Sequence, residues 1–160
     1  MVRSPRTQRV LLLLLAGCLV VSVASFAATA TGQLAWQQRD GLAFTPTDLS
    51  VSDGDEPTVA IEFTVTNPTG VPVTIRPAVI GVFDGSAEAE NRLVSARTAR
   101  LADGSGTFRV PARGSTETTV LVDLPRENVE RTRAAIADGR AVVSGTVTAE
   151  LRDRRFSADV

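Results

Sequence analysis

Residues Pro57–Asn67 read PTVAIEFTVTN, and this run decides the fold. Val59, Ile61, Phe63 and Val65 alternate with Ala60, Glu62, Thr64 and Thr66. Successive side chains of a strand point to opposite faces, so strict period two predicts a β-strand with one buried face. Asn67-Pro68-Thr69-Gly70 follows with Pro in the second turn position and Gly in the fourth, the chemistry of a tight reversal. Val71, Val73 and Ile75 resume the alternation, which predicts a hairpin partner for the first strand. Pro77 interrupts it, so that partner is expected to bend or to lie at an edge. Ala78–Phe83 is apolar and ends at the turn Asp84-Gly85.

The same signals recur on both sides. Leu42–Val51 predicts an earlier strand. Thr107–Val110 and Thr116–Leu124 flank Pro111–Ser115 as a second predicted hairpin, with Thr118, Val120, Val122 and Leu124 on one face. Pro125–Asp138 predicts the one helix of this region. Pro suits the first turn, Gly139 suits the end, and Val129, Thr132 and Ile136 share a face. Ala141–Leu151 alternates again through Val143, Gly145, Val147 and Ala149. Ser86–Asp103 is ambiguous: Leu93, Ala96, Arg97 and Arg100 would line a helix, whereas Arg92–Ser95 and Ala99–Ala102 would make two short strands. Strands on both sides favour the second reading. The pattern as a whole predicts an all-β, immunoglobulin-like antiparallel β-sandwich of about seven strands with one short helix near the C-terminus.

The amino-terminal part has a different character. Residues 1–9 carry Arg3, Arg6 and Arg9 without an acid, and Val10–Gly32 contains no charge. About 20 apolar residues cross a bilayer as a helix, so residues 10–32 predict a transmembrane anchor or signal segment. Residues 1–9 are then a cytoplasmic basic tail, and residues 33–160 an exported domain. Three fates of the segment stay open: retention as an anchor, cleavage after Ala30 at Ala28-Thr29-Ala30, or lipidation at Cys18 in Leu15-Ala16-Gly17-Cys18. All three export the remainder, and retention gives a single-pass cell-membrane protein with its C-terminal domain outside. Trp36 is expected either in the interfacial aromatic belt or in the core of the first strand.

Composition narrows the chemistry. The 160 residues include one Cys, no His and no Tyr, and every one of the 17 basic residues is Arg. Imidazole and lysine chemistry, an internal disulfide and a Cys-built zinc site are therefore excluded. Beyond residue 32 stand 14 arginines against 18 acids, a sign unsuited to nucleic acid. Asp53-Gly54-Asp55-Glu56 clusters carboxylates as a Ca²⁺ loop would, but without EF-hand spacing, and reads as a solvated hairpin loop. Asp103-Gly104-Ser105-Gly106 is glycine-rich but opens no helix, so it reads as a turn. Glu88 with Glu90, and Glu127 with Glu130, could pair as glycosidase acids, yet sugar-stacking aromatics are scarce. Arg152-Asp153-Arg154-Arg155 is the one basic cluster, read either as a solvated strand end or as a contact for acidic lipid headgroups. The expectation is a non-enzymatic chain with no catalytic, cofactor-binding or metal site.

One family resemblance joins these pieces. Phe63-Thr64-Val65-Thr66-Asn67-Pro68 with its Val-Pro-Val-Thr-Ile continuation resembles the LEA type 2 domain, the late-embryogenesis-abundant, water-stress and hypersensitive-response family. Phe108–Ser115, the short helix and Val143-Ser144-Gly145-Thr146-Val147 follow in the family's order, so the likeness covers roughly residues 40–157. The resemblance implies an immunoglobulin-like sandwich without catalytic residues, associated with osmotic and desiccation stress and carried by a membrane helix. The expected function is a binding or protective role at the cell envelope, and the alternative is a structural or assembly subunit of a cell-surface complex. Expected partners are membrane lipid through the N-terminal helix and an envelope protein, with no nucleic acid.

Overall fold

The computed structural model describes residues 5–95 and 98–160. Arg3 of the basic tail and Ala96 and Arg97 of the ambiguous stretch lie outside the described residues. Helix α1 (Pro5–Gln37) leads into a 3-10 turn (Arg39–Gly41) and eight strands: β1 (Ala43–Ser52), β2 (Thr58–Asn67), β3 (Val73–Asp84), β4 (Arg100–Leu101), β5 (Phe108–Val110), β6 (Gly114–Asp123), β7 (Ala141–Leu151) and β8 (Arg154–Asp159). Helix α2 (Val129–Ala137), entered by a 3-10 turn at Arg126–Asn128, lies between β6 and β7.

The strands form two four-stranded antiparallel sheets, ordered β1-β2-β6-β4 and β5-β3-β7-β8. The period-two reading of β2 holds residue by residue. Val59, Ile61, Phe63 and Val65 are buried, and they meet Val73, Ile75, Ile80 and Val82 of β3 and Val147, Ala149 and Leu151 of β7 in one hydrophobic core. Phe63, Val120, Ile75, Ile80 and Val147, drawn from both sheets, surround a gap of only about 10 Å³. That volume is at the lower limit for one water, so side chains of the two sheets close the space between them at this point.

Both predicted hairpins are corrected. β3 pairs with β5 and β7, not with β2, and β5 pairs with β3, not with β6. The chain therefore changes sheet at Asn67–Gly70 and again at Pro111–Arg113. The hairpins that do form are β1–β2, around Asp53–Pro57, and β7–β8, around Arg152-Asp153. Pro77 does not end its strand. β3 runs through it with a register shift between Pro77 and Val79, where the ladder with β7 accommodates a residue that has no N–H. Gly145 of β7 faces this bulge. A Cβ there would lie 2.2 Å from the Val79 carbonyl oxygen and 2.8 Å from Ile80 Cα, so only glycine lets the backbones approach.

The ambiguous stretch is mostly irregular. It contains a 3-10 turn at Ala89–Asn91, single bridges from Arg92 to Phe83 and from Thr98 to Val79, and the two-residue β4. The predicted Arg92–Ser95 strand reduces to that one bridge. Helix α2 begins later than predicted and buries Thr132 and Ala135, with Val129 half-buried beside them. Gly139 ends it at φ 66°, a left-handed position that glycine takes without a Cβ penalty.

Helix α1 is unbroken through Gln37, past the predicted limit at Gly32. Its Leu12–Gln37 portion is long and apolar enough to cross a membrane. Leu12–Leu15, Leu19–Val21, Val23 and Phe26 are all exposed, Phe26 at 76%, so no part of the fold covers them. The end of the helix behaves differently: Ala35 is 1% exposed and belongs to the domain core.

Candidate functional site

The motif that carries the family resemblance is a structural bracket. Asn67 and Thr69 are fully buried although polar, so their bonding must be satisfied internally. Asn67 Nδ2 donates to the Val71 and Pro111 carbonyl oxygens, both at 2.9 Å, and its Oδ1 accepts the Thr69 N–H at 3.0 Å. The Thr69 hydroxyl donates to the Val71 carbonyl at 2.8 Å, and the Thr69 carbonyl accepts the Arg113 N–H at 2.9 Å. One amide thus ties both sheet-changing corners together. Arg113 holds its corner in the left-handed region, at φ 52°.

Beside this bracket the helix meets the domain. Thr31 Cγ2 and Arg113 Nη2 lie 3.8 and 3.9 Å from the point a Cβ on Gly70 would occupy, and Pro68 Cγ lies 3.0 Å from that point on Gly41. On its other side α1 receives the β7–β8 turn. A Cβ on Gly32 would fall 2.7 Å from Arg152 Nη1, so glycine lets that guanidinium lie directly on the helix backbone. Trp36 stands in the last turn of α1, half-buried, edge-on to Phe156 of β8 with ring centroids 5.6 Å apart and planes at 83°. Two guanidiniums approach the same indole, Arg39 at 4.7 Å and Arg154 at 5.4 Å from its centroid. Arg39 also donates to the Trp36 carbonyl at 3.0 Å, capping the helix end. A cleft of about 250 Å³ opens between α1 and this turn, bordered by Thr29, Gln33, Trp36, Arg152 and Arg154.

The expectation that Trp36 enters the core of the first strand is therefore corrected, since it belongs to the helix. The basic cluster lies exposed where two strands meet: Arg152-Asp153 is the hairpin turn after β7, with Arg152 at φ 55°, and Arg154 opens β8. Sequence reasoning missed this junction because β8 was not recognised. The signal was the alternation Phe156, Ala158, Val160, too short to stand out beside the charges before it.

The remaining candidates are scattered. Asp53 pairs with Arg133 of α2, and the Asp55 carbonyl accepts from Arg126 at 2.7 Å, so the acidic loop is tied to the helix. Among the described residues no group of three or more His, Cys, Asp or Glu converges as metal ligands would. Glu130 is engaged by Arg133 at 2.6 Å. The Ser105 hydroxyl, then its backbone N–H at 2.8 Å, hold the exposed Asp103 carboxyl below the usual carboxylate range. A hydrogen bond and then the charge of Glu150 raise the Arg155 guanidinium above its ordinary value. An open trough of about 580 Å³ crosses the outer face of the first sheet, bordered by Glu62, Thr64, Glu117 and Thr119. Cys18 is a free, exposed residue of α1.

No protein-family model matches the chain, and no curated protein matches it. Among solved structures it is similar to a crystal structure of a protein from Archaeoglobus fulgidus, at 13% identity and a TM-score of 0.41, covering 74% of this chain and 94% of that one. Likeness at that level assigns neither family nor function.

Proposed function

We propose that the protein is a non-enzymatic, single-pass membrane protein whose immunoglobulin-like β-sandwich stands outside the cell membrane. In this reading it has a binding or protective role at the envelope, of the kind that the LEA type 2 resemblance associates with osmotic or desiccation stress. One observation carries the reading. Helix α1 exposes every large apolar side chain described from Leu12 to Phe26, while Ala35 in its last turn is buried in the domain core. Left in water, such a surface would drive aggregation, whereas a lipid bilayer covers it at no cost in polar groups. Arg3, Arg6 and Arg9 precede the apolar run and favour a cytoplasmic amino end.

The test is protease accessibility on intact cells carrying a C-terminal tag, followed by an alkaline wash of the membranes. The reading expects the tag to be clipped from outside and the full-length chain to remain in the washed membrane. A protected tag would reverse the topology, and release by the wash would remove the anchor.

A further inference from the structure

The domain surrounds the emerging helix with arginines drawn from three separate places in the chain. Arg39 comes from the turn after α1, Arg113 from the β5–β6 corner, and Arg152 and Arg154 from the β7–β8 hairpin. Their guanidiniums lie against Trp36, beside Gly70, and on the Gly32 backbone. Asp40, 3.4 Å from Arg39, and Asp153 in the same hairpin are the nearby acids, which leaves the collar with a positive surplus. Among the described residues Arg113, Arg152 and Arg154 have no carboxylate partner, in contrast to Arg131, Arg133 and Arg140 around α2.

Position supplies the second part of the argument. From Leu12 to Gly32 a helix rises about 30 Å, the thickness of a bilayer's hydrocarbon core. Gly32 is where Arg152 touches the helix, and Trp36 stands one turn, about 5–6 Å, farther out. On the anchored reading above, which this inference requires, the collar sits at headgroup depth. Guanidinium is planar and presents paired N–H donors that match a phosphate diester. The cleft between α1 and the β7–β8 turn adds Thr29 and Gln33 as polar neighbours. We propose that this arginine collar binds the phosphate headgroup of anionic phospholipids in the outer leaflet and so gathers them around the helix.

Trp36 is the only tryptophan and the chain has no tyrosine, so its fluorescence reports on this place alone. The full chain would be reconstituted in phosphatidylcholine bilayers containing a minor fraction of either phosphatidylglycerol or phosphatidylcholine that bears a quencher on the acyl chain near the headgroup. The proposal expects the anionic quencher to act at least twofold more strongly than the neutral one. That preference should vanish in 1 M salt and in R152Q/R154Q, return in part in R152K/R154K, and weaken in R113Q. Each variant is referred to its own unquenched signal. Equal quenching by the two lipids, with the anchor intact, would overturn the collar and leave the anchored reading standing. Absence of quenching by either lipid would overturn both. A preference that survives R152Q/R154Q would show that these arginines do not bind the headgroup.

Discussion

Asn67 offers the sharpest test of why the two sheets hold together. Asn67→Ala removes the donor of two hydrogen bonds and the acceptor of a third, all to buried or half-buried backbone groups. The Val71 carbonyl keeps a partner in the Thr69 hydroxyl at 2.8 Å. The Pro111 carbonyl and the Thr69 N–H lose the partner described here. Leaving a buried backbone group unsatisfied costs about 1–3 kcal/mol, so two such groups put the loss at about 2–6 kcal/mol, towards the lower end because Pro111 is exposed. Small domains are stable by about 5–15 kcal/mol in total, so the variant should be visibly marginal. The assay is urea unfolding of the full-length protein in mild detergent, followed by Trp36 fluorescence and far-UV circular dichroism. Asn67→Asp sharpens the test, because it sets a carboxylate oxygen where an amide donor faced two carbonyls. Burial and those carbonyls raise the folded-state pKa of the new acid above its unfolded value of about 3.9. Its extra deficit is therefore absent below that value and grows as pH rises towards the folded pKa, where it levels off. Measured against the parent at each pH, Asn67→Asp should be worse than Asn67→Ala at pH 7 and recover near pH 4. A loss under about 1 kcal/mol for Asn67→Ala, or no pH dependence for Asn67→Asp, would show that the corner is held by packing rather than by this amide.

Other perturbations probe separate links. Gly145→Ala drives a Cβ into the backbone of Val79 and Ile80, and should cost about 3 kcal/mol or more, whereas Gly54→Ala, with open space around it, should change the urea midpoint little. Asp84 is 14% exposed and holds both Arg131 of α2 and Arg140, so Asp84→Ala should cost about 1–2 kcal/mol, discounted because both arginines are half exposed. Asp53→Ala, at a carboxylate that is 66% exposed, should cost less than about 0.5 kcal/mol in the same unfolding assay. Ser105→Ala removes the larger of the two hydrogen bonds that stabilise the Asp103 carboxylate, so the Asp103 midpoint, followed by carbon NMR, should rise towards the ordinary carboxylate value.

The buried faces of β2, β6 and β7 were legible in the sequence, but the partners were not. Val59, Ile61, Phe63 and Val65 point inward whichever strand lies alongside, because period two reports burial and nothing else. A Pro-Gly reversal looks the same whether the chain returns in its own sheet or in the facing one. The difference lies in Asn67. An Asn in a surface hairpin is solvated, while this one occupies the core side of β2 and spends its amide on a second corner 44 residues away. Pro77 was expected to bend its strand or to lie at an edge, and it sits at a register shift whose counterpart the local sequence does not name. The missing N–H was met by a bulge opposite Gly145, a compensation written more than 60 residues downstream. Ser86–Asp103 carried no period because its described part is held by single bridges and the β4 pairing with β6.

The helix junction could not be read locally either, and its form constrains what the domain can do. The uncharged run Val10–Gly32 predicts an anchor or signal segment that ends at Gly32. Instead α1 continues to Gln37 with Ala35 in the core and Trp36 against Phe156, so the domain is seated on its helix rather than tethered by a linker. Strand direction then fixes which end of the domain adjoins α1. β2 arrives at Asn67, β6 leaves from Gly114 and β7 arrives at Leu151, all at the end where Pro68, Gly70 and Arg152 meet the helix. The opposite strand ends, with α2, Asp84 and the Asp53–Glu56 loop, lie about 30 Å away at 3.3 Å per residue. Charge is thereby sorted along the strand axis. Among the described residues Arg113, Arg152 and Arg154 lie at the helix end without a carboxylate partner, while at the far end Arg131, Arg133 and Arg140 hold carboxylates and Arg92 lies over the Phe83 ring. The helix and the arginines around it thus occupy the near end, and the far end and flanks are the faces of the domain that remain open.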